Sequence, residues 1–64
     1  MYITLKGTDP DGWDHTAVIC EDGSVDITSV GDSPQGRCGG TARVSKGIFN
    51  KNYRDVTWHS VVIS

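Results

Sequence analysis

Two short alternating runs of β-forming residues, 16–20 and 24–29, flank Asp22 and Gly23, and this arrangement constrains the fold more than any other feature of the chain. Asp-Gly between such runs is a strong hairpin signal, because a two-residue turn needs residues that tolerate positive φ. With Asp22 and Gly23 as the turn, Glu21 faces Ser24, Cys20 faces Val25, Ile19 faces Asp26 and Val18 faces Ile27. Val18, Cys20, Val25 and Ile27 then share one face and form the expected core patch. A slip of one residue would send that set to solvent, so turn and burial specify the register together.

The remaining segments extend the same pattern. Residues 2–6 read as a first strand with Ile3 and Leu5 inward, followed by a polar loop over 7–14. Pro34 and the glycines around it mark residues 31–36 as an exposed excursion. Residues 40–45 form a fourth strand with Ala42 and Val44 on one side. In residues 46–54, Ile48, Phe49 and Tyr53 either share one side of a single helical turn or anchor an irregular loop; a short turn or 3₁₀ element is the expected form. In the last strand, 55–63, Val56, Trp58 and Val62 fall on one face but Val61 and Ile63 on the other. Either both faces are buried, or a bulge near His59 and Ser60 switches sides.

A chain of 64 residues with eight glycines and two prolines favours short strands and tight turns over a helical bundle. The expected architecture is all-β: a single domain, residues 1–64, whose small five-stranded antiparallel sheet curls into an SH3-like or OB-like barrel, with one short helical turn near 47–53. An open sheet is the alternative. No stretch approaches the roughly 20 apolar residues of a membrane span, and no secretory signal opens the chain. The expectation is a cytoplasmic protein without a membrane partner, beginning at its natural start, of the size common among small bacterial, phage and mobile-element proteins.

The net charge of −2 divides unevenly. Residues 1–32 hold seven acidic side chains against Lys6 alone, whereas residues 33–64 hold five basic ones against Asp55. Opposite patches could steer partners, unless the sheet interleaves the two halves and the charges neutralise one another. Within the basic half, Lys46, Phe49, Lys51, Tyr53 and Arg54 alternate cations with aromatics, the combination that contacts phosphates and stacks on bases. A core role for Phe49 and the acidic total weigh against that use.

Other constellations are weaker. Asp9, Asp11 and Asp14 around Gly12 resemble an oxygen-rich calcium loop, but Cys20 stands where the closing glutamate belongs, so a turn is the simpler reading. His15, Cys20, Cys38 and His59 have zinc-ligand chemistry without the close pairing of structural sites. Cys38 beside His15 or His59 is the only candidate nucleophile, and a Cys-Gly-Gly turn explains it with fewer assumptions. Cys20 and Cys38 could form one disulfide; in a reducing compartment Cys20 is instead an apolar core residue and Cys38 a turn thiol. No cofactor or metal is expected.

These exclusions lead to a non-enzymatic protein-binding module acting as a small inhibitor, adaptor or regulatory accessory protein. Trp13 and Tyr53 are its candidate aromatic anchors, with Asp11, Asp14, Lys51 and Arg54 orienting the partner. Loss of Trp13 is expected to abolish capture and spare the fold. A sheet edge could also take a partner strand or a second copy. The alternative is a small nucleic-acid-binding barrel using Lys46, Phe49, Lys51, Tyr53 and Arg54.

Overall fold

The computed structural model describes residues 2–64, Ser33 by its backbone only; Met1 lies outside the described residues. Five strands, β1 (Ile3–Thr8), β2 (Asp14–Ile19), β3 (Val25–Ser33), β4 (Gly36–Val44) and β5 (Thr57–Ile63), form one antiparallel sheet in the order β4-β3-β2-β1-β5. A helix, α1 (Lys46–Asn52), connects β4 to β5. The sheet is open, with β4 and β5 as its edges, so the expected barrel closure is corrected to the open alternative.

The central hairpin forms, but one residue out of the expected register. Ile19 pairs with Val25, Val18 with Asp26 and Ala17 with Ile27. The loop has three residues, closed by Cys20 N–H to Ser24 O at 2.8 Å and Gly23 N–H to Cys20 O at 3.1 Å. Asp22 Oδ1 selects this loop by accepting from Ser24 N–H at 2.9 Å and from Ser24 Oγ–H at 2.6 Å. Gly23, at φ 89°, supplies the left-handed residue that ends a three-residue hairpin loop. The expected core set is therefore half wrong: Ala17 and Ile19 join Val25 and Ile27 inside, while Val18 and Cys20 move to the outer face. Cys20 is a half-buried thiol 3.8 Å from Asp26 and not a core residue.

The excursion over 31–36 is instead the end of a longer hairpin, in which β3 and β4 each run nine residues and Pro34 and Gln35 form the turn. Cys38 consequently lies in β4 opposite Gly31, in a strand and not in a turn. Both cysteines are free. Six residues of β3 separate Val25, beside the Cys20 turn, from Gly31, about 20 Å along the strand, too far for a disulfide.

One face of the sheet carries the core. Ala17, Val25 and Ile27 are buried there beneath Phe49, with Leu5, Ile19, Val44, Tyr53 and Trp58 packed around them. The expected short helical turn is present as α1, α-helical and not 3₁₀ over Lys46–Asn52: Ser45 caps it by accepting from Ile48 N–H at 3.3 Å, and Phe49 N–H to Ser45 O at 2.9 Å and Tyr53 N–H to Phe49 O at 3.0 Å span four residues. Ile48 does not share their face and is 46% exposed. In the last strand the bulge alternative holds. The register steps between Lys6, paired with Ser60, and Gly7, paired with Trp58, leaving His59 as the extra residue. Trp58 and Val56 thereby lie over Gly7, and Val62 turns to the outer face opposite Thr4.

Candidate functional site

The β1–β2 connection repeats the three-residue design. Asp9 N–H donates to Trp13 O and Gly12 N–H to Asp9 O, both at 3.0 Å. The Asp9 carboxylate then organises its surroundings. Its Oδ1 accepts from Asp11 N–H at 3.0 Å and Trp13 N–H at 2.9 Å, and its Oδ2 accepts from His15 Nε2–H at 2.8 Å. A carboxylate only accepts, so Nε2 carries the ring proton; in the neutral imidazole Nδ1 accepts from Ser29 Oγ–H at 2.6 Å. His15 is 7% exposed and meets the Tyr53 ring edge-on at 5.4 Å. One imidazole thus ties together the β1–β2 loop, β2, β3 and the end of α1. With both ring nitrogens hydrogen-bonded, the Asp9–His15–Ser29 chain staples these segments together.

The hydrogen bond from His15, followed by those from the Trp13 and Asp11 N–H groups, holds the Asp9 carboxyl below its ordinary value. Asp26 is lowered by Arg43 and Asp22 by Ser24. Each of these groups binds a proton less readily folded than unfolded, so its contribution is complete above the ordinary carboxylate value of 3.8 and is lost as pH falls through the lowered one. The unfolding midpoint is therefore expected to drop on acidification below about pH 4. Asp9→Asn should flatten part of that acid limb in a thermal unfolding series from pH 7 to pH 2; an unchanged limb would contradict the assignment.

Beside this staple lies an open cleft of about 230 Å³. Asp9, Pro10 and Asp11 form one wall, Asn52, Tyr53 and Asp55 the other, and the buried His15 and Val56 complete the lining. Asp11 and Asp55 make no salt bridge among the described residues. The lining therefore holds three carboxylates, an aromatic ring and no lysine or arginine.

The fold brings together some candidate residues and separates others. Asp11 and Tyr53 meet at the cleft, with the exposed Lys51 and Arg54 adjacent to its helical wall in sequence. Asp14 lies on the outer face, where Thr8 Oγ1–H donates to it at 3.2 Å and Arg37 approaches to 3.7 Å. Arg37 also lies 3.5 Å from Asp32, and Arg43 binds Asp26 at 2.7 Å, so the acidic and basic halves do interleave across the sheet. Trp13 is half-buried with its ring packed on Gly31. Removing it would uncover β3 as well as delete a surface ring, so a fold-neutral Trp13→Ala is not expected.

Lys46, Lys51 and Arg54 are exposed, but Phe49 is 6% exposed and enclosed between Tyr53 and Trp58, each 5.6 Å away. Among the described residues no three His, Cys, Asp or Glu side chains converge as metal ligands. Cys38 stands on β4, two strands from His15, whose nitrogens are already occupied. No described helix is long and apolar enough to cross a membrane. The pairing of His15 with Ser29 follows from the three-residue loop; the expected two-residue turn would place Val30 there instead.

No family model, curated protein or solved structure matches this chain.

Proposed function

We propose that the chain is a non-enzymatic protein-binding module, acting as a small inhibitor, adaptor or regulatory accessory protein, whose cleft takes a cationic side chain from a partner segment. The observation that carries this reading is the meeting of Asp9, Asp11 and Asp55 with the Tyr53 ring around one concavity. At about 230 Å³ the cleft is smaller than the roughly 300–1,000 Å³ of small-molecule sites but suits one long side chain. An arginine or lysine head there would pair with Asp11 and Asp55 and lie against the aromatic ring. Nucleic acid fits less well, since the enclosed Phe49 cannot stack on a base and the cleft carboxylates repel phosphate.

Titration with an arginine-containing peptide and with its glutamate counterpart, followed by fluorescence anisotropy, tests this. The cationic peptide should bind selectively, and more weakly as salt rises. The double change Asp11→Asn, Asp55→Asn should weaken it up to about tenfold, since both carboxylates are exposed and exposed ion pairs are worth up to about 1 kcal/mol each. Equal affinity for both peptides, or indifference to the double change, would sink the proposal.

A further inference from the structure

The C-terminal half of β5 forms a second surface, at the end of β1 remote from the cleft and independent of it. Ser64 N–H donates to Tyr2 O at 3.0 Å and Tyr2 N–H to Ser64 O at 2.8 Å, so these two residues form a closely hydrogen-bonded pair. Antiparallel ladders alternate, so Val62 and Ser60 also direct their backbone groups toward β1. The N–H and C=O groups of Val61 and Ile63 consequently point to the open edge. The side chains there are apolar on both faces, with Val61 61%, Val62 57% and Ile63 64% exposed.

The two edges of the sheet differ in protection. β4 carries Arg37 and Arg43 and three glycines, features that discourage further pairing. From Val56 to Ser64 there is no Asp, Glu, Lys or Arg, so the β5 edge lacks a charged gatekeeper. The same absence makes it self-complementary: two antiparallel copies oppose no like charges.

We infer that the β5 edge pairs with β5 of a second copy, antiparallel and centred on Val62. In this register Val61 and Ile63 of one copy exchange backbone hydrogen bonds with Ile63 and Val61 of the other. Val62 meets Val62 across the two-fold axis on the outer face. Every apolar side chain of the segment then meets another, and the two five-stranded sheets continue into one. The arrangement is isologous and closes at two copies, leaving only the guarded β4 edges outside. An edge this short buries less than the roughly 1,200 Å² of standard interfaces, so the dimer is reversible and concentration-dependent.

Size-exclusion chromatography with light scattering, from micromolar to millimolar, should show the mass rising from 6.9 kDa toward twice that value. Val62→Lys, at an exposed position, should hold the single mass with unchanged circular dichroism. In a Cys20→Ser, Cys38→Ser background, Val62→Cys should form an intermolecular disulfide at least about tenfold faster than Ser60→Cys, because opposed non-hydrogen-bonded residues are the closest across a ladder. A wild-type chain that stays at single mass at millimolar concentration would overturn the inference, including the case in which the edge serves a strand from a different protein. So would a dimer that Val62→Lys leaves intact, or equal cross-linking at positions 60 and 62.

Discussion

Replacing His15 with alanine is expected to cost about 3 kcal/mol of stability from the lost buried ring alone. A chain of 64 residues commands only about 3–10 kcal/mol in total at 0.05–0.15 kcal/mol per residue, so much of the margin disappears. The loss is not only volume. Without the imidazole, Asp9 Oδ2 and Ser29 Oγ both lose their partner, and Tyr53 loses the edge it packs on. The β1–β2 loop and the end of α1, the two walls of the cleft, then lose their common tie. At roughly 4–8 °C per kcal/mol for a domain of this size, the melting midpoint should fall by about 12–24 °C. Ser29→Ala should cost less, about 1–3 kcal/mol, since it leaves the ring in place and removes one donor from buried Nδ1. If His15→Ala melts within a few degrees of wild type, or Ser29→Ala is the more damaging change, the staple is not what holds these segments.

Gly7→Ala should be comparably severe for a different reason. A Cβ on Gly7 would stand 2.6 Å from Thr57 O, 2.7 Å from Val56 Cγ1 and 2.8 Å from Trp58 Cε3. The nearest of these is a backbone oxygen fixed at the β5 bulge, so no rotamer change relieves the overlap. Either β5 separates from β1 at the bulge, or Trp58 and Val56 leave the core and Phe49 loses its neighbour. Overpacking of this kind typically costs about 1–3 kcal/mol, and the rigid backbone contact places this case at the upper end. Chemical denaturation should show a large drop in midpoint. Gly40→Ala provides the comparison, because nothing stands within 4 Å of its Cβ position. Equal effects at positions 7 and 40 would contradict the bulge geometry.

Much of the strand pattern was legible in the sequence. Alternation placed Ile3 and Leu5 inward, identified five strands, and left a side switch near His59 as one of two readings of the conflict between Trp58 and Val61; the register step decides for it. The hairpin register was not legible, because residues 17–20 are all small or apolar and alternation cannot distinguish Ala17 and Ile19 from Val18 and Cys20. The choice rests on the Asp22 carboxylate, which captures Ser24 and lengthens the loop by one residue. That single step also decides the site, since it places Ser29, and not Val30, opposite His15. The helical turn near 47–53 was legible, but its α-helical form and its start at Lys46 were not, because only Phe49 and the C-cap Tyr53 show the i, i+4 spacing and the capping role of Ser45 depends on where β4 ends. Asp9, a turn residue by sequence, becomes the organiser of the cleft only when the loop folds it over His15.

The most direct test of the proposed function is a ¹⁵N-resolved NMR titration of the wild-type protein with the arginine-containing peptide, the glutamate peptide serving as reference. Binding in the cleft predicts that the amide shifts of Asp9, residues 11–13 and residues 52–56 move together and saturate with the cationic peptide alone, while those of β4 and the C-terminal half of β5 stay in place. Shifts confined to other elements, or no saturable shift at millimolar peptide, would contradict it.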